Sequence, residues 1–166
     1  MDLQNIRQFF GTRMVIFNTI AEHRLTPVEK DILFNIGMPD YNGYGGTYLM
    51  QSNLSIIDGH YLKFATRKGD ETEYSEFIDL QNHKIVFRFY SEEFSFLNSN
   101  LEAYLNYLYI YEKNFTEVID PEKFGNYELN HQKYADELKK RLLQYNDDVL
   151  KGSWSALIEE MGYGVI

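Results

Sequence analysis

The groups in this sequence best suited to chemistry are carboxylates. The stretch "GDETEYSEFID" brings Asp70, Glu71, Glu73, Glu76 and Asp79 together with no compensating base, and "SEEF" adds Glu92 and Glu93. Neighbouring carboxylates perform general acid–base chemistry when one of them is buried enough to keep its proton. Hairpin residues this polar are expected to be hydrated, so catalysis is not expected from them. As a binding surface they read better. Negative charge at adjacent strand ends would steer the chain onto a basic protein site and speed association more than it deepens affinity. The competing reading is a solvated charged edge that discourages sheet-to-sheet aggregation. Both stand.

Other chemical constellations are missing. The histidines, His23, His60, His83 and His131, never fall within four residues of one another, so no His-x-x-x-His ligand pair exists and no metal site is expected. Cysteine is absent, which removes thiolate nucleophiles, Cys-type zinc sites and a disulfide framework. No Gly-x-Ser-x-Gly elbow occurs, and Ser153 in "KGSWS" reads as a helix cap. The glycine-rich run "GMPDYNGYGGTYL" has the wrong order for a phosphate loop. Gly37 closes a helix, Gly43, Gly45 and Gly46 precede a strand, and no Lys follows. That run is expected to turn the chain and to let another backbone come close. No catalytic residue and no cofactor are implied.

Aromatic residues are abundant, with 14 Tyr and 12 Phe. Tyr41, Tyr44, Tyr48, Tyr61, Tyr74 and Tyr90 lie near turns or on alternating strand faces, where a ring with a polar tip suits an interface. The candidate partner-binding set is therefore Asp70, Glu71, Glu73, Glu76, Glu92 and Glu93 with Tyr44 and Tyr74. Stacking on single-stranded nucleic acid would need more flanking cations than Lys63, Arg67 and Lys68 supply.

The elements that must hold these groups follow from periodicity. Leu3, Ile6, Phe9 and Phe10 have helical spacing, whereas "RMVIFNTI" fits helix or strand. Thr26, Pro27 and Glu29 form a capping box, and Gly37 with Pro39 ends the helix near residues 27 to 36, whose apolar face is Val28, Ile32, Leu33 and Ile36. Then come "GTYLM", "LSII", "HYLKFATRK", "TEYSEFIDL", "KIVFRFY" and "EFSFL", separated by the turn-type stretches "QSN", "DG", "GDE" and "QNH". In "KIVFRFY", Ile85, Phe87 and Phe89 share one face, and Val86, Arg88 and Tyr90 the other. Ser99 caps a helix striped by Leu101, Tyr104, Leu105, Leu108 and Tyr111, with Tyr107 and Ile110 making its other side apolar as well. Tyr134, Leu138, Leu142 and Tyr145 mark a further helix, and "SWSALIEEMG" a last one. The expectation is an α+β fold with an antiparallel sheet of four to six strands, mixed pairing allowed, packed against flanking helices. One domain over residues 1–166 is expected, with 1–24 an N-terminal extension of unassigned structure.

Three stretches in this order carry a likeness to a known family. They are "FNIGMP" followed by "YGGTYL", the run ending "FSFLNSNLEAYLNYLYIYEKN", and the late "WSALIEEMG". The chain resembles the SUKH (Smi/Knr-like) superfamily of bacterial immunity proteins. Gly37 and Pro39 match its turn, Phe96 to Ser99 its strand-to-helix junction, Leu101 to Leu108 its helix, and Trp154 a late tryptophan. The likeness covers the chain from about residue 25 onward. It implies the α+β fold and, as function, binding and neutralising a cognate toxin domain, frequently a nuclease. A regulatory adaptor without a toxin partner is the alternative, and an unrecognised hydrolase a more distant one.

The totals agree with that implication. A net charge of -9 repels nucleic-acid phosphates and anionic lipid and attracts a basic protein partner. No apolar run reaches membrane-spanning length, and Arg13, Asn18 and Glu22 interrupt the first apolar residues, unlike a secretory signal. The expectation is a non-enzymatic, acidic, cytoplasmic protein whose partner is a protein toxin, not nucleic acid or membrane. Nothing in the sequence sets an oligomeric state.

Overall fold

Helix α1 (Leu3–Phe10) begins where the Asp2 carboxylate accepts a hydrogen bond from the Gln4 N–H at 2.9 Å, a side-chain cap on an otherwise orphaned donor. The computed structural model describes residues 2–43, 46–69, 74–90, 93–118 and 131–164. After α1 a short 3-10 turn (Gly11–Arg13) leads into strand β1 (Met14–Val15). Residues 1–24, unassigned from the sequence, thus contribute a helix and a strand, and bury Ile6, Phe10 and Phe17.

Helix α2 (Pro27–Asp31) opens on the expected capping box. Thr26 Oγ1 accepts from the Glu29 N–H at 3.2 Å, and Glu29 Oε2 accepts from the Thr26 N–H at 2.7 Å. The chain continues as a π-helical turn (Ile32–Ile36), closed by the Gly37 N–H donating to the Ile32 carbonyl at 2.7 Å. Ile32, Leu33 and Ile36 are buried, but Val28, expected beside them, is 47 % exposed. Glu29 takes the inward place because its carboxylate serves both the cap and His83 Nδ1, 3.1 Å away. Gly37, at φ +93°, is where two backbones meet: a Cβ there would sit 2.8 Å from the Val15 carbonyl oxygen. That approach lets β2 (Met38–Pro39) pair antiparallel with β1.

The main sheet has six strands in the order β3-β4-β5-β6-β7-β8, every pairing antiparallel. They are β3 (Tyr41–Gly43), β4 (Gly46–Ile57), β5 (Tyr61–Arg67), β6 (Tyr74–Asp79), β7 (Ile85–Phe89) and β8 (Ser95–Asn98). With the helices this makes an α+β fold of the expected class. Two details differ from the sequence reading. Part of the glycine-rich run is itself a strand, with Tyr41 opposite Tyr48. And "QSN" is no turn: it lies inside β4, where the register shifts between Met50 and Ser55, so a bulge absorbs the polar residues without breaking the strand. The β4–β5 turn uses Asp58 and Gly59, both at positive φ, and the β6–β7 turn uses His83 at φ +62°.

The chain through Leu105 forms one compact unit, and from Asn106 onward a second; the boundary falls inside helix α3 (Leu101–Val118). The cap of α3 is Asn100 rather than Ser99, since Asn100 Oδ1 accepts from the Ala103 N–H at 2.8 Å. In the second unit, α4 (His131–Leu143) buries Tyr134, Leu138 and Leu142, and α5 (Gly152–Gly162) buries Trp154. Ser153 is not a cap there; Gly152 already belongs to the helix, and the residue before it makes no side-chain cap bond. Tyr107 ties this unit together. Its hydroxyl donates to Asn146 Oδ1 at 2.6 Å and accepts from the Val149 N–H at 3.0 Å, and its ring meets Trp154 edge-on at 5.1 Å. Arg141 adds a bridge to Glu117 at 2.7 Å and to Glu137 at 3.0 Å. Among the described residues no helix is long and apolar enough to cross a membrane.

Candidate functional site

Strand β6 carries both candidate sites, one on each side. Side chains alternate across a sheet, so Glu76 and Ile78 face one way and Ser75, Phe77 and Asp79 the other. Across the ladder Glu76 stands opposite Ala65 and Phe87, and Phe77 opposite Lys63 and Val86.

On the inner side Glu76 is fully enclosed, at 0 % exposure. Its company is phenolic. Tyr41 Oη from β3 lies 2.7 Å from Glu76 Oε1, Tyr104 Oη from α3 lies 2.7 Å from Oε2, and the two phenol oxygens are 3.0 Å apart. Tyr74 also reaches this carboxyl and is itself bonded to Tyr48. Stacking fixes the rings: Tyr41 lies parallel to Tyr48 at 4.7 Å, and Tyr104 meets Phe64 edge-on at 6.0 Å. Burial pushes the Glu76 carboxyl up to about 7, against the opposing pull of the hydrogen bonds from Tyr41, Tyr104 and Tyr74. Tyr41 and Tyr104 are driven well above the ordinary phenol range, by burial first and by the adjacent carboxyl second. Losing the hydration of a charge outweighs the donors offered to it. Such a carboxyl could act as a general acid, but a group sealed at every atom offers no place for a substrate.

On the outer side the rings are half-open. Tyr61 stacks on Phe94 with centroids 3.7 Å apart, and Phe94 meets Phe77 edge-on at 5.2 Å. The Arg88 guanidinium lies 4.8 Å over Phe94 and 5.8 Å over Phe77, and Asp58 from the β4–β5 turn holds it at 3.3 Å. These groups cover Phe77 down to 1 % exposure while Arg88 itself keeps 29 % of its side chain in solvent. Tyr61, Lys63, Phe94 and Phe96 are half-buried around it. An arginine pinned between rings and a carboxylate is set in place before any partner arrives.

Of the expected binding residues, the structure describes Glu76, Glu93 and Tyr74. Asp70, Glu71, Glu73, Glu92 and Tyr44 lie outside the described residues. Glu93 is exposed, beside Phe94 in sequence, and Tyr74 is half-buried, stacked on Phe87 at 5.4 Å with Arg67 6.0 Å over its ring. Glu76 must be corrected: it is not a hydrated hairpin acid but a core residue, because strand alternation puts it on the side of Ile78. Asp79 folds into its own turn, accepting from the Gln81 N–H at 3.0 Å and from Asn82 Nδ2 at 2.7 Å. Of the tyrosines expected to be interfacial, Tyr41 and Tyr48 are buried, Tyr61 is half-buried and Tyr90 is exposed. The sequence reading does not place Arg88 and Phe94 in a site; the alternation of "KIVFRFY", which separates Arg88 from Phe87 and Phe89, is a signal for Arg88, and Phe94 has none of that kind. Among the described residues no group of three or more His, Asp or Glu is placed to hold a metal ion.

No protein-family model, no curated protein and no solved structure matches the chain.

Proposed function

We propose that this chain is an immunity-type binding protein, acting in the cytoplasm, which seizes a cognate toxin domain and blocks it without chemistry of its own. The observation that carries this reading is the outer face of the sheet, where Tyr61, Phe94 and Arg88 form a fixed, half-open cluster. Aromatic rings and arginine supply most of the binding energy at protein interfaces, and they do so best when little ordering remains to be done. The likeness of the Gly37–Pro39 turn, the Phe96–Ser99 junction and Trp154 to the SUKH superfamily points the same way. A net charge of -9 favours a toxin with a basic surface, and the exposed Glu93 places an acid at the rim of the cluster.

Two observations favour a protein over other ligands. Asp58 answers the Arg88 charge and would repel a phosphate brought to the same place. Glu76, the group a hydrolase would need, is enclosed. The test is co-expression and titration with candidate toxin domains, beginning with any encoded beside this chain. Protection from toxicity and a tight one-to-one complex are expected. Replacing Arg88 and Phe94 by alanine together should weaken that complex by at least about 30-fold, as loss of a hot spot of 2 kcal/mol or more does. Undiminished toxicity with no complex overturns the proposal, as does capture of a single-stranded oligonucleotide by this face in place of the protein.

A further inference from the structure

The three oxygen contacts around Glu76 require three protons. Tyr41 Oη–Oε1, Tyr104 Oη–Oε2 and Tyr104 Oη–Tyr41 Oη close a ring at 2.7, 2.7 and 3.0 Å. Two phenols bring two protons. With an ionised carboxylate, one side of the ring is therefore a pair of oxygens at hydrogen-bond distance with nothing between them. With a neutral acid every contact is served: the carboxyl donates to Tyr104, Tyr104 to Tyr41, and Tyr41 back to the carbonyl oxygen of the acid. Tyr74 adds one contact to the carboxyl and one proton of its own, and Tyr48 does the same for Tyr74, so neither supplies the missing proton.

We propose that Glu76 is held as a neutral acid in the folded protein, completing a carboxyl–phenol ring, and that the first compact unit is thereby a proton-uptake device that loosens as the medium turns alkaline. Among the described residues, the titratable and charged groups around Glu76 are Tyr41 from β3, Tyr48 from β4, Tyr74 from β6 and Tyr104 from α3, with Arg67 of β5 over the Tyr74 ring. Arg67 is the cation of that set. It lies against the faces of Tyr74 and Phe89, at 6.0 and 5.5 Å. The elevated carboxyl, up to about 7 from an ordinary 4.5, agrees with the proton count. The sign follows. Between those values the folded chain holds a proton that the unfolded chain releases, so this contribution is fully present below about 4.5 and is lost as pH rises through about 7. The ring joins the edge strand β3, the central strand β6 and the start of α3, so its loss is felt in that unit first.

The test compares the full chain with Glu76→Gln, whose amide can donate to Tyr104 and accept from Tyr41 as the neutral acid does. Trp154 lies in the second unit, so opening of the first is followed by amide hydrogen exchange of β5, β6 and β7. On going from about pH 5 to about pH 8.5 the native protein should lose on the order of a hundredfold in folding constant relative to the variant. Comparing the two proteins cancels every contribution they share. Parallel profiles overturn the proposal. Should the variant not fold, the infrared carbonyl band of a protonated carboxylic acid in the native protein at about pH 6 decides. Its presence, with a shift in Tyr104→Phe, supports the ring; its absence refutes it.

Discussion

Glu76 and Phe77 are neighbours in sequence, yet their surroundings treat charge in opposite ways. On the Glu76 side a potential anion is enclosed by phenols and stripped of water. On the Phe77 side a cation, Arg88, is kept, partly hydrated, with rings beneath it and Asp58 beside it. The difference is one of solvent. A carboxyl can shed its charge by taking a proton, whereas a guanidinium cannot, so the side that excludes water holds the group able to become neutral. Alternation along one strand is enough to create both environments, and only the wetter one can meet a partner.

The sharpest way to break that contrast is to force a charge onto the sealed side. Glu76→Lys places an ammonium where the oxygens shown at hydrogen-bond distance, among the described residues, are the phenols of Tyr41 and Tyr104. A cost of about 4 kcal/mol or more is expected, enough to unfold the first unit at neutral pH. Urea denaturation followed by far-ultraviolet circular dichroism measures it. Survival of the unit with little loss would mean that water reaches this side after all.

A smaller perturbation keeps the carboxyl and removes one donor. Tyr104→Phe opens the ring, leaves Tyr41 one partner short, and should cost about 1–3 kcal/mol. Its second consequence has a definite sign. In the ring Tyr104 accepts from the neutral acid, whereas toward an ionised Glu76 it donates and draws the carboxyl downward against burial; the charge-assisted bond is the stronger of the two, so its removal should carry the upper end of the stability loss above about 7. A midpoint that moves downward would mean that Tyr104 serves the neutral acid alone.

How much of this was legible beforehand depends on the range over which each residue finds its partners. The Thr26–Glu29 box, the Asp58-Gly59 turn and the separation of Ile85, Phe87 and Phe89 from Arg88 are local patterns, written within a few residues. The Glu76 ring is not local. Its partners lie 35 and 28 positions away, and in "GDETEYSEFID" the residue reads as one more hydrated acid. Counting in twos from Ile78 places it on the core side, which was the available clue. β3 escaped notice because a short strand rich in glycine and asparagine carries turn chemistry, and the "QSN" bulge because polar residues inside a long strand look like its end. Val28 and Glu29 exchanged places for a tertiary reason, His83 reaching Glu29 from the β6–β7 turn. The outer cluster needs Tyr61 and Arg88 from two strands, Phe94 from the segment just before β8 and Asp58 from a turn, so no single stretch of sequence announces it.

The smallest effect on stability belongs to the outer side, and its smallness is the point. Arg88→Met keeps an unbranched chain over Phe94 and Phe77 while removing the charge, the Asp58 bridge and the attraction to the rings. An ion pair this exposed contributes about 1 kcal/mol or less, and a cation over a half-open ring about as little. The melting temperature should therefore fall by only a few degrees, and the pH midpoint set by Glu76 on the far side of the sheet should stay where it is. Binding should respond far more strongly than folding, since a guanidinium held ready at the centre of a contact is worth more to a partner than to the fold that presents it. If Arg88→Met instead moved the pH midpoint, the two faces of β6 would be coupled, and the separation of a sealed side from an open, partly hydrated one would fail.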